Sequence, residues 1–186
     1  MKKDKRAIQS EKAIIEASIH TLLVNPSAGM SQIAVAAGVG RATLYRHFES
    51  RDALIQKLAF VCVEELEDAT ESLQHLSGRA AIEAEIDLTM PLADRFHFLM
   101  SLWHIAADNE VMKRICQEEL DELATVIDQA KEAGEIALEL PTVWLVSFYD
   151  STLRVAWSLI ASGDVTPDEA AEYAKRSFFR GCAKVL

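Results

Sequence analysis

The sequence predicts an all-α protein of about nine helices, with an N-terminal three-helix head over residues 1–50 and a larger helical body over residues 51–186. Three observations carry this prediction. Apolar residues recur at helical spacing through most of the chain. Only seven Gly and four Pro punctuate 186 residues, too few for the turns of a β-sandwich. Where breaks do occur, they fall beside helix caps and stops.

The elements follow in order. Residues 1–6 (MKKDKR) form a basic arm, expected to fray. Residues 10–24 carry Ile15, Ile19, Leu22 and Leu23 at helical spacing, and the Asn25-Pro26-Ser27-Ala28-Gly29 cluster stops that helix. A short helix over 30–37 ends at Gly38, a residue suited to the position just past a helix. Val39-Gly40 makes the turn into a second short helix over 41–48, with Leu44 and Phe48 on one face. Ser50 caps a long helix running to about residue 74. Ser77-Gly78 breaks the pattern before a short helix over 79–87, and Pro91 can open the next, reaching to about 108. Residues 110–133 have one apolar stripe, closed by Gly134. Pro141 opens a helix to about 161. Thr166, Pro167 and Glu169 then give the cap, first position and capping-box partner of the last.

Composition narrows the class. Half the residues are hydrophobic and 26% are charged, as in an ordinary globular chain. No uncharged apolar run reaches ~18 residues, so no membrane span is expected. The charged N-terminus lacks the apolar stretch of a secretory leader. Cys62, Cys116 and Cys182 lie far apart, which disfavours a disulfide framework or zinc cluster and fits the cytoplasm. The net charge of −10 conceals a division. Residues 1–60 hold nine Lys/Arg against five Asp/Glu, while the remainder holds ten against twenty-four. A basic head can meet phosphates that an acidic body repels.

The two short helices and their Gly38-Val39-Gly40 turn form a helix-turn-helix pattern. Ile33, Ala34 and Ala37 can pack on Leu44 and Phe48. Arg41, Ala42, Thr43, Tyr45, Arg46 and His47 then remain outside, a polar, basic and aromatic face suited to a major groove. Arg41 can reach a guanine, and Ala42 or Thr43 a thymine methyl. Tyr45, His47 and Arg51 are better placed for phosphates.

Residues 33–48 (IAVAAGVGRATLYRHF), followed by Ser50-Arg51-Asp52-Ala53-Leu54, resemble the DNA-binding signature of the TetR family of bacterial transcriptional regulators. The resemblance covers about residues 10–60, with Ile14 and Ala17 fitting the first helix more loosely. It implies a homodimer that binds palindromic double-stranded operator DNA and is usually released by a small-molecule effector. It puts Arg41, Ala42 and Thr43 at base-reading positions, and Tyr45, His47 and Arg51 on the backbone. Three positions depart from the pattern. Gly29 stands where the family often has Thr, Gly40 where it often has Ser, and Arg51 where it usually has Lys. The loop before the second helix also looks about two residues short.

In the body, Phe96, Met100, Trp103, His104, Met112, Trp144, Phe148, Tyr149 and Trp157 are candidates for lining an effector pocket. The helix over 141–161 is apolar nearly all round, which implies burial on more than one side. The resemblance places dimerisation on the last two helices, with Trp157, Tyr173, Ser177, Phe178 and Gly181 as candidate interface residues. Ser147, Ser151, Arg154, Ser158 and Ser162 form a polar stripe that is either a solvent face or a small-residue seam. Asp150 and Arg154 are expected to pair at i, i+4. No enzyme motif emerges, and no cofactor or metal is expected. The rival readings are a ligand-independent DNA-binding protein of the same fold and a helical enzyme using His104 and Asp108.

Overall fold

The computed structural model describes the backbone of residues 2–102 and 109–182, and their side chains apart from those of residues 2–10 and 101. The helices are α1 (Lys2–Val24), α2 (Met30–Ala36), α3 (Arg41–His47), α4 (Arg51–Thr70), α5 (Gly78–Thr89), α6 (Ala93–Ser101), α7 (Glu110–Glu132), α8 (Thr142–Ser162) and α9 (Pro167–Gly181). Short 3-10 turns, Glu71–Leu73 and Met90–Leu92, follow α4 and α5, and no strand occurs among the described residues. The chain is all-α, as expected.

Three boundaries differ from those expected. The backbone of the basic arm is helical from Lys2, since nothing between there and Ser10 is a helix breaker. The fourth helix stops at Thr70, whose hydroxyl donates back to the carbonyls of Leu66 and Glu67 where the 3-10 turn begins. Pro91 sits in a 3-10 turn rather than at the start of an α-helix, and α6 begins only at Ala93.

Two compact units result. One comprises residues up to Val63 together with the segment from Phe98 to Glu110, as far as it is described. The other comprises Glu64–His97 and Val111–Leu186. The packing boundary falls inside α4 because its first three turns bury Leu54, Ile55, Leu58, Ala59 and Cys62.

In the first unit α1 packs on α2 and α2 on α3. Its core holds Ile14, Ile19, Leu22, Ile33 and Leu44, all fully buried. In the second unit α9 packs on α8 and α5. Ile82, Ile86, Ile127, Leu145, Tyr149, Leu153, Trp157 and Phe178 belong to one core there. The capping box forms as the sequence implies. Glu169 N–H donates to Thr166 Oγ1 at 3.3 Å and Thr166 N–H to Glu169 Oε2 at 2.9 Å.

The α2–α3 turn depends on one backbone conformation. Gly38 adopts φ +65°, a region that costs other residues about 1–2 kcal/mol. There the Gly38 N–H donates to Val35 O at 3.1 Å and the Val39 N–H to Ala34 O at 2.9 Å. These two bonds close α2 as a Schellman motif. A Cβ at Gly38 would touch nothing within 4 Å, so Gly38→Ala isolates the backbone cost. It should lower stability by about 1–2 kcal/mol, read as a lower urea midpoint with an unchanged slope.

Candidate nucleic-acid interface

The head is built so that α3 turns one side inward and offers the other. Leu44 and Phe48 are buried, together with Ile33 and Ala34 of α2. Arg41, Ala42, Tyr45 and Arg46 are exposed, Tyr45 at 46%, while Thr43 and His47 are half-buried. The expected base-reading and backbone-contacting residues of α3 therefore share its outer surface. Arg46 lies in the last turn, where its positive charge complements the helix dipole.

Both short helices begin at glycine. Gly29 and Gly40 have extended backbones and no side chain to cap with. At Gly29 the deficit is partly met from inside the helix, since Gln32 Oε1 accepts the Gly29 N–H at 3.0 Å. The preceding Asn25-Pro26-Ser27-Ala28 segment is a tight turn, closed by Ala28 N–H donating to Asn25 O at 2.9 Å.

Arg51 grips that turn. Its Nε donates to Ala28 O at 3.0 Å, and its terminal guanidinium nitrogen donates to Pro26 O. The planar guanidinium holds its two N–H donors in a fixed fork, which suits two carbonyls of one turn. This gives Arg51 a part in holding the short loop in shape. Sequence reasoning assigned Arg51 to phosphate and missed this grip. The available signal was a shortened loop coinciding with a Lys-to-Arg departure.

Comparison with known proteins addresses the same segment. Residues 26–58 match the model of the family described as bacterial regulatory proteins, tetR family. Over that segment, which holds the helix-turn-helix and the start of α4, the chain is similar to the TetR family. A repressor of this type, the HTH-type transcriptional repressor LfrR of Mycolicibacterium smegmatis, is 33% identical over 86 residues. That match covers 43% of this chain and 46% of LfrR, less than half of either. The whole fold resembles solved TetR-like structures. A TetR family transcription regulator from Marinobacter aquaeolei VT8 gives a TM-score of 0.74 at 19% identity, covering 98% of this chain and 99% of that one. LfrR from Mycobacterium smegmatis in complex with proflavine gives 0.75 at 20%, covering 95% and 99%. The ketosteroid transcriptional regulator KstR2 of Mycobacterium tuberculosis gives 0.81 at 13%, covering 95% and 96%.

The expected pocket residues of the body do not all converge. Phe96 stacks on Trp157 with centroids 3.7 Å apart. Phe148 and Tyr149 instead pack on Phe178, at 5.8 and 5.5 Å. Trp144 is 62% exposed on α8. Met112 is buried core and Met100 is half-buried. Trp103, His104 and Asp108 lie outside the described residues. A surface cleft of about 280 Å³ is lined by Asp87, Met90, Pro91, Pro167, Asp168, Ala171 and Glu172, none of them an expected pocket residue.

Two expected interface residues are also corrected. Trp157 is 5% exposed and Phe178 fully buried, so both are core of one chain and have no surface to offer a second. Tyr173, Ser177 and Gly181 are exposed. Arg154 and Asp150 pair at 2.8 Å, as expected.

One group went unnoticed in the sequence. Glu85 lies on α5 among Ile82, Ile86 and Thr89, all buried. Burial pushes its carboxyl up to about 7, and Glu119 and Glu122 push the same way, against the lowering influence of Tyr149. Burial also raises Tyr149, Glu119 and Cys116. The sign of the consequence follows. Between the ordinary carboxylate range and about pH 7 the folded chain holds a proton at Glu85 that the unfolded chain has lost. Stability contributed by this site therefore falls as pH rises through that window. Urea midpoints measured from pH 5 to 8 should decline, and Glu85→Gln should flatten the decline. An equal decline in the variant would assign it elsewhere.

Proposed function

We propose that this chain is a DNA-binding transcriptional repressor that acts in the cytoplasm as a homodimer on a palindromic operator. A small, mainly apolar effector releases it. The observation that carries the reading is the outer face of α3, where Arg41, Ala42, Tyr45 and Arg46 are exposed above a buried helix-turn-helix core. A single recognition helix spans only a few base pairs, so two-fold pairing supplies the length, with half-sites about 34–36 Å apart or a multiple of that. The LfrR name speaks of a repressor, and solved relatives are described with proflavine or as a ketosteroid regulator. Both descriptions support a small ring-bearing effector. As one continuous helix, α4 carries residues of both units. An effector that shifts its body end can therefore move its head end, and linkage makes the effect on operator and effector affinities reciprocal.

The surface supporting dimerisation is the outer side of α8. Val143, Trp144, Val155 and Leu159 are exposed there, with Tyr173 on α9. Ser147 and Ser151 lie between them and donate their hydroxyls to the carbonyls of Val143 and Ser147, at 2.9 and 2.8 Å. Such serines present little unsatisfied polarity to an approaching helix. Exposed large apolar side chains gathered on one side of a helix support an interaction face there.

Two measurements test this reading. On a selected operator, Arg41→Ala should lose about 1–3 kcal/mol and relax preference at one base position. Arg51→Ala should weaken binding evenly across sequences, because it frees the turn before α2. Wild-type affinity in Arg41→Ala would sink the assignment. For the dimer, sedimentation of Trp144→Glu should give a folded monomer near 20.6 kDa, whereas Phe178→Glu should unfold the chain. A folded Trp144→Glu dimer would move the interface elsewhere.

A further inference from the structure

Arg51 is the first residue of α4, yet its side chain bonds to the turn before α2, 23 and 25 residues back along the chain. Nε donates to Ala28 O at 3.0 Å, and the terminal nitrogen donates to Pro26 O. The segment closed in this way contains α2 and α3 entire. These are seven-residue helices, too short to hold their own shape in water. Arg51 thus ties the entry of the helix-turn-helix to its exit. Within the turn, the N–H groups are satisfied locally. Ser27 N–H donates to Asn25 Oδ1 at 3.2 Å, and Ala28 N–H to Asn25 O at 2.9 Å. The carbonyls face a different situation. Ala28 is fully buried, so its carbonyl depends on a protein donor, and Arg51 supplies one.

We propose that Arg51 is a positioning residue for operator binding. It acts through its N–H donors, which fix where α2 begins against α4, rather than through a charge laid on a phosphate. The exposed residues Arg41, Ala42, Tyr45 and Arg46 of α3 lie inside the closed segment. A loosened segment presents them in many poses, and binding must then impose the order that Arg51 otherwise supplies. The loss falls alike on every sequence, because the turn reads no base. A lost phosphate contact also weakens every sequence, but it lowers the salt dependence as well. Affinity and salt dependence together therefore separate the two roles. The role given to Arg51 deepens the DNA-binding reading and rests on it.

The test uses the full chain and a duplex selected from random sequence by the wild-type protein. Two variants are compared, Arg51→Ala and Arg51→citrulline. Citrulline keeps Nε–H and a terminal NH2 but carries no charge. It is introduced by joining a synthetic peptide of residues 1–61 to the remainder at Cys62. Arg51→Ala should bind the duplex about tenfold more weakly, with the salt slope of wild type. Arg51→citrulline should keep both the affinity and the slope. Hydrogen exchange without DNA supplies a second readout. The Ala28 amide should lose protection in Arg51→Ala and keep it in Arg51→citrulline, while amides in the middle of α1 stay protected in both. Near-ultraviolet circular dichroism checks that both variants remain folded. Weaker binding by both variants, with slopes smaller by about 0.9, is the mark of one lost phosphate contact and would overturn the positioning role. Protection lost equally in α1 would also overturn it, because the effect would then be one of general stability. Wild-type affinity in Arg51→Ala overturns the role alone, whereas a wild-type chain that selects no duplex overturns the DNA-binding reading with it.

Discussion

Two seven-residue helices cannot hold their own shape in water, because a helix shorter than about a dozen residues does not recover the cost of its nucleation. In this chain α2 and α3 are both that short, and neither has a side-chain cap at its first residue. Their order comes from outside. Ile33, Ala34, Leu44 and Phe48 are buried, Gly38 fixes the turn between them, and Arg51 fastens the turn before them. The division of labour on α3 follows. Leu44 and Phe48 are spent on the core, so the residues between and beside them are free of structural duty. That is why Arg41, Tyr45 and Arg46 can be chosen for what they meet.

The body meets a different constraint. Its helix α8 is apolar on nearly every side, yet only one side can face the core of a single chain. Leu145, Tyr149, Leu153, Ala156 and Trp157 take that side. Val143, Trp144 and Val155 are left out. A monomer gains nothing from three large apolar side chains in water, so their persistence on one helix is an argument about association rather than folding. The alternation of these residues with small, self-bonded serines keeps the face open to close approach.

Much of the head was legible because it is local. The turn glycine and the Leu44–Phe48 spacing are both readable within thirty residues of chain. The capping box at Thr166 was readable for the same reason. The body was less so. Trp144 and Trp157 lie 13 residues apart, about 220° around a helix, so they must face nearly opposite ways. Periodicity supplies that relative angle but not which of the two points inward, because the polar stripe of Ser147, Ser151, Arg154, Ser158 and Ser162 reads equally as a solvent face or a small-residue seam. The packing of α9 against α8 settles it. Phe178 was misplaced by the same ambiguity. Glu85 was overlooked although it sits at a stripe position, three residues after Ile82. Arg51 was missed because its partners are carbonyls, and a sequence does not display where carbonyls point.

Charge joins the two regions. The residues beyond 60 carry far more carboxylates than cations, and a duplex presents a dense line of phosphates. An acidic body gains nothing by approaching that line in any orientation. The basic head gains from one. On the proposed DNA-binding reading, this division of charge favours encounters through the basic head. Within the body the same excess has a second effect. It surrounds Glu85 with its own kind, so that the cost of burying one carboxyl is raised by Glu119 and Glu122 instead of being offset by them.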